Sequence, residues 1–205
     1  MRQKRVQTMT IGAVFIAILI IQSFIPYLGY IRILPGLPSI TIIPLTVALA
    51  GVLLGTGFGT WIGLIWGILS LILAYTQPGD LVSLMLFQNP IIAIVPRAAA
   101  GFAGGMIAQA AKNKSKGQAA VIYGLAGIAT SAINTLLVIG LTSLFFMKNS
   151  DALLHGLGQA NNQAPLITIL LVALGTNGIV EAIFTGFITP FIALPIKRFL
   201  VKRSH

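Results

Sequence analysis

Apolar stretches long enough to cross a lipid bilayer follow one another along this chain, separated only by short polar or Gly/Pro-rich breaks. A spanning helix needs about 20 mostly apolar residues, and breaks this short leave no room for a separate water-soluble domain. Composition agrees: at 57% apolar residues, 8% charged residues and a mean hydropathy of +0.97, the chain carries too little polar surface to cover a globule in water. Lipid is therefore the expected solvent. The expected fold class is all-α, an integral membrane bundle of six transmembrane helices forming one domain over residues 1–205.

The six helices are predicted at 7–28, 39–54, 58–75, 81–111, 117–147 and 165–200. The second is short and contains Pro44, and the last three are long enough to tilt or to project past the hydrocarbon. Between the first two, Gly29, Pro35, Gly36 and Pro38 forbid a continuous helix. The longest polar break, 148–164, is rich in Asn, Gln and Gly. The opening Arg2, Lys4 and Arg5 followed by apolar residues has the look of a secretory signal. The apolar run, however, exceeds the roughly 7 to 15 residues of a signal core and no small-x-small cleavage pattern follows, so a retained first helix is expected.

Basic residues are held on the cytoplasmic side of short loops. In a six-helix chain one face would collect Arg2, Lys4, Arg5, Lys112, Lys114, Lys116, Lys197, Arg198, Lys202 and Arg203, ten of the thirteen Lys and Arg residues. The opposite face would receive Arg32 and Lys148 with Asp80 and Asp151. Both termini are thus expected in the cytoplasm, with the segments around Tyr30, Gln77 and His155 outside. The asymmetry accounts for the net charge of +10 without a nucleic-acid partner.

Several chemistries are excluded by what is missing. Without cysteine there is no disulfide framework and no thiolate zinc site. There is no Gly-x-x-x-x-Gly-Lys-Ser/Thr loop and no His-Glu-x-x-His, so neither ATP hydrolysis by a P-loop nor zinc-protease chemistry is encoded here. Asp80, Asp151, Glu181, His155 and His205 are too few and too scattered for an intramembrane acid/base pair or metal centre. No enzymatic activity, cofactor or metal is expected, although Glu181 alone could carry a proton.

Charges at membrane depth are costly and call for a reason. Arg97 and Glu181 fall about midway along the fourth and sixth predicted helices. Arg97 could present its planar fork to a carboxylate or phosphate of a ligand, or the two could neutralise each other as a structural pair. Asn134, Asn177, Gln88 and Asn89 add amides in the outer half or at the midplane of the last three helices. They could join helices or, as a group, line an outward-facing pocket for a polar solute. Trp66 and Tyr75 could supply aromatic walls, and Trp61 a wall or an interfacial anchor. Glycines at 55, 59, 63 and 67, and at 101 and 105, recur every four positions, which lets helix backbones approach closely. Ala13 and Ala17 form a smooth Ala-x-x-x-Ala face that could meet another helix or another protein.

The run Pro26-Tyr27-Leu28-Gly29-Tyr30-Ile31-Arg32-Ile33-Leu34-Pro35-Gly36-Leu37-Pro38-Ser39-Ile40-Thr41-Ile42-Ile43-Pro44 resembles the substrate-binding S components of energy-coupling factor (ECF) vitamin transporters. So do Leu54-Gly55 with Gly63 and Gly67, Phe87-Gln88-Asn89-Pro90 through Val95-Pro96-Arg97, and Thr176-Asn177-Gly178-Ile179-Val180-Glu181-Ala182. The likeness covers essentially the whole chain and is nearest to pantothenate carriers. It implies a protein in a bacterial plasma membrane that captures one vitamin from outside. Inward delivery would require a transmembrane coupling protein and two cytoplasmic ATPases, which fits the missing P-loop. Ala13 and Ala17 would be the docking face for the coupling protein, and the segment holding Tyr30, Arg32 and Pro35 a lid over the site. For pantothenate, Arg97 would take the carboxylate, Asn134 and Asn89 the hydroxyl and amide groups, and Trp66 the dimethyl portion. Another cargo, such as cobalamin or a hydroxymethylpyrimidine, is the alternative within the family. A self-sufficient secondary transporter or channel subunit is the alternative outside it.

Overall fold

The structure, a computed structural model, describes residues 2–25, 28–31, 40–77, 81–148, 150–159 and 164–202. Helix α1 (Arg2–Phe24) leads to a two-stranded antiparallel ribbon, β1 (Tyr30–Ile31) and β2 (Ile40–Thr41), with Tyr30 opposite Thr41 and Ile31 opposite Ile40. Then follow α2 (Ile43–Leu54), α3 (Thr56–Thr76), α4 (Leu81–Phe87), α5 (Pro90–Gln109), α6 (Lys116–Phe146), α7 (Asp151–Gly156) and α8 (Leu166–Lys202). Five of these, α1, α3, α5, α6 and α8, are long and apolar enough to cross a membrane, and α2 is a shorter apolar helix. Apart from the ribbon, the described chain is helical.

Burial sorts the helices by role. Every residue of α2 from Ile43 to Val52 is buried, which is how a helix apolar on all sides behaves at the centre of a bundle. Pro44 sits in its first turn, where a proline lacks no needed N–H, so it starts the helix and does not distort it. The outer faces of α6 and α8 instead expose Val121, Leu136, Leu144, Val172, Ile183 and Phe187, an apolar exterior that hydrocarbon can solvate.

One expectation needs correction. The predicted fourth helix over 81–111 is two helices, α4 and α5, broken at Gln88–Asn89. The cause is local. Pro90 restricts the residue before it to extended geometry, and Asn89 adopts φ −83°, ψ 116°. Its side-chain oxygen accepts from the Ile91 N–H at 3.0 Å, an N-cap followed by proline at the first helical position. The polar break over 148–164 likewise contains a short helix, α7, that the sequence pattern did not predict. Helix α6 begins as foreseen, with Ser115 and Gln118 forming a capping box.

The glycine ridges are internal packing between α3, α5 and the end of α2. A Cβ on Gly59 would meet the Gly101 carbonyl, one on Gly63 the Arg97 carbonyl, one on Gly67 Ile94, and one on Gly105 Thr56. Gly55, with φ +98°, makes the tight α2–α3 turn in a region that suits glycine alone. We predict that Gly101→Val, which forces α3 and α5 apart, lowers the thermal midpoint of the detergent-solubilised protein by the equivalent of about 1 to 3 kcal/mol or prevents folding. Gly57→Ala, whose added carbon meets nothing within 4 Å, leaves the midpoint within a degree or two; size-exclusion melting curves check both.

Candidate functional site

Arg97 is 3% exposed at the middle of the bundle. The close α3–α5 contact carries it there, because Gly63 lies against its carbonyl. Its Nη1 donates to the Ile92 carbonyl at 2.8 Å. Its Cζ lies 5.1 Å from the centre of the Trp66 ring and 4.1 Å from that of Phe87, both within cation–π range. Trp66 itself is buried. The arrangement fixes a planar cation in a low-dielectric interior, a geometry suited to an anion with two in-plane oxygens.

Glu181 on α8 is also buried. Its Oε1 accepts the backbone N–H of Thr41 at 2.7 Å, and it lies within Coulombic range of Arg97. Thr41 is a knot: its hydroxyl donates to the Gly29 carbonyl and accepts from the Ile43 N–H, so Glu181 grips the base of the ribbon where it enters α2. Below it, the Ser131 hydroxyl reaches the Thr185 hydroxyl at 3.0 Å and Thr189 donates to the Thr185 carbonyl at 2.6 Å. The Ser131–Thr185 contact joins α6 to α8 in the way polar groups join helices in lipid, and the Thr189 bond lies within α8.

Asn134 stands one turn beyond Ser131 on the same face of α6, 6% exposed, and its Oδ1 has no hydrogen-bond partner. Ser70 Oγ on α3, one turn past Trp66, is in the same condition, as are Ser23 Oγ and Thr142 Oγ1. All four lie in the half of their helices nearer the ribbon, where α4 and α7 also sit. Buried polar groups are ordinarily satisfied, and these four oxygens are exceptions that share one half of the bundle.

The other candidates separate from this group. Asn89 spends its oxygen on the α5 cap. Gln88 Nε2 donates to the Ala74 carbonyl and Tyr75 Oη donates to the Gln88 carbonyl, both at 3.2 Å, so the pair ties the end of α3 to the α4–α5 break. Tyr75 is 68% exposed and does not face Arg97's surroundings as a buried wall. Asn177 is half-buried one turn before Glu181. Ala13 and Ala17 are exposed on α1. Tyr30 opens the ribbon, while Arg32 and Pro35 lie outside the described residues. Phe87, Ser70 and Thr41 escaped the sequence reading. The Asn89-Pro90 pair could have revealed Phe87; nothing local joins Thr41 to a carboxylate 140 residues away.

Among the described residues, a bundle of apolar helices encloses the buried Arg97, and the comparisons with known proteins place the chain in a membrane transport family. The family described as ECF transporter, substrate-specific component, matches residues 7–193, and this chain belongs to it. A "Pantothenate transporter PanT" of Leuconostoc mesenteroides is 39% identical over 150 residues, 71% of this chain and 72% of that one. A "Pantothenic acid transporter PanT" of Lactococcus lactis is 29% identical over 200 residues, 89% of this chain and 96% of that one.

The Glu181–Thr41 contact makes a prediction that needs no ligand. Glu181→Leu strands a buried N–H and costs about 1 to 3 kcal/mol, whereas Glu181→Gln, which keeps an acceptor in place, costs less than half as much. Thermal melts of the two variants in the same detergent check the order.

Proposed function

We propose that this chain is the pantothenate-capturing component of a vitamin importer in a bacterial plasma membrane. The observation that carries the proposal is the confinement of the orphaned Asn134 and Ser70 oxygens to the half of the bundle that also holds the caged Arg97. Pantothenate offers what these groups lack. Its carboxylate suits the guanidinium fork, its hydroxyls and amide N–H are donors for Asn134 Oδ1 and Ser70 Oγ, and its dimethyl group suits the Trp66 ring. The names carried by the two relatives favour the same cargo. Asn177 and Asn89 Nδ2 stand at the margin of this reading, and Tyr75 and Gln88 act in it by fixing the rim.

In this reading α1, α2, α3, α5, α6 and α8 are six spans with both termini in the cytoplasm. Lys112, Lys114, Lys116, Lys197 and Arg198 all fall at the bundle end opposite the ribbon, as the rule for basic loops requires of a cytoplasmic face. The site half then faces outward. Ala13 and Ala17 offer a small-residue face on α1 to the coupling protein, and two cytoplasmic ATPases supply the hydrolysis that this chain has no motif to perform.

Two measurements test the proposal. Titration calorimetry of the purified protein shows pantothenate binding that Arg97→Ala weakens about 10- to 150-fold, the loss of one charge-assisted hydrogen-bonded contact; unchanged affinity would remove Arg97 from the site. In liposomes the chain alone binds pantothenate without accumulating it, and concentrative uptake appears only with the ATPase module and ATP. Proton-driven accumulation by the isolated chain would instead identify a self-sufficient carrier.

A further inference from the structure

We infer that Phe87 is a positioning residue that sets the preference for an anionic cargo by holding the Arg97 guanidinium in place. The inference rests on the pantothenate reading for its ligand and on the helix break for its geometry. Ten residues separate Phe87 from Arg97, and in one continuous helix they would lie about 15 Å apart along the axis. The turn at Gln88–Asn89 instead folds the last residue of α4 back onto a side chain about two turns into α5, until the ring centre is 4.1 Å from Cζ. That is the closer of the two rings against Arg97; Trp66 is at 5.1 Å.

The break is held from several directions. The Asn89 cap and Pro90 fix the start of α5, while Gln88 Nε2 and Tyr75 Oη bond across to and from α3. Leu86, beside Phe87, is buried in a cluster with Ile92, Val138, Ile139, Leu153 and Leu170. Helix α4 is therefore packed against α3, α5 and α7, and this packing presents Phe87 to Arg97. An arginine side chain has several rotatable bonds and loses considerable freedom when ordered. A ring lying over the guanidinium carbon removes much of that freedom beforehand, because it contacts the face of the group and not its N–H edge. The Ile92 carbonyl occupies Nη1 from the same helix and turns the fork in the same sense. A neutral solute gains nothing from this fixation, so Phe87 acts on the charge of the cargo more than on its bulk.

The test compares pantothenate with the neutral alcohol in which CH2OH replaces the carboxylate, using the full-length protein in detergent. Phe87→Leu lowers affinity for pantothenate about 3- to 30-fold while changing affinity for the alcohol less than 2-fold, and Phe87→Tyr, which restores a ring, restores the ratio. Should the leucine variant fail to fold, Phe87→Met replaces the volume without the ring. A second readout needs no ligand. In 15N-arginine NMR of the ligand-free protein, the signal lost in Arg97→Lys belongs to Arg97, and its guanidinium rotation speeds up in Phe87→Leu and slows again in Phe87→Tyr. Unchanged rotation overturns the inference. Equal loss of both solutes also overturns it, since Phe87 would then be a wall of the pocket. If the unaltered protein binds no pantothenate, the cargo reading fails by itself, and the rotation measurement still decides whether Phe87 positions Arg97.

Discussion

A guanidinium enclosed in a lipid-embedded bundle is the constraint around which the rest of this molecule is arranged. Moving an arginine to the centre of a membrane costs about 3 kcal/mol or more, and here Arg97 is 3% exposed. Among its neighbours are two aromatic rings, one main-chain carbonyl and, within Coulombic range, Glu181. Cation–π contacts contribute about 0.5 to 2 kcal/mol each and a charge-assisted hydrogen bond about 1.5 to 3. The cage is therefore of the right size to offset the burial. It requires Trp66 on α3, Phe87 on α4 and Ile92 on α5 to converge on one side chain, which dictates how closely those elements pack.

That convergence explains the glycines. Trp66 can reach Arg97 only if α3 and α5 approach until backbone meets backbone, and Gly59, Gly63, Gly67 and Gly101 leave that space. Without the hydrophobic effect to press helices together inside lipid, contact must come from close packing and from polar ties between helices. The first device serves α3 with α5. The second serves α6 with α8, through the Ser131 hydroxyl and Thr185, and α1 with α2, where the Thr46 hydroxyl donates to Gln22 Oε1 at 2.8 Å.

Membrane class and the apolar helices were legible because each rests on local composition: long apolar runs, with polar side chains such as Arg97, Glu181 and Asn134 buried among them. The α4–α5 break was legible in principle, since Asn89-Pro90 is a helix-start signal, but the apolar run on either side of it overrode the reading. Tyr75 illustrates the opposite limit. An aromatic residue on the right helix is a candidate wall by composition, yet its placement at the exposed end of α3 depends on the phase of that helix against its neighbours. Thr41 and Phe87 become visible only when the chain is folded, because their partners are distant in sequence or lie across a bend.

Among the described residues, the buried polar oxygens left without partners are confined to one half of the bundle. Toward the basic end, hydroxyls are bonded: Thr130 to Ala126, Thr189 to Thr185, Thr60 to Thr56. Toward the ribbon end bonded groups such as Thr41 and Thr46 stand beside Asn134, Ser70, Ser23 and Thr142, whose buried oxygens have no partner. An unmet buried polar atom costs about 1 to 3 kcal/mol, so that half of the protein is held in a state less stable than its packing would allow. In the proposed reading, a solute that supplies the missing donors recovers the difference as binding free energy, with side chains already held by the helices that carry them. A small apolar bundle can thereby hold a hydrophilic molecule tightly while offering it few groups, provided those groups are left unsatisfied until the solute arrives.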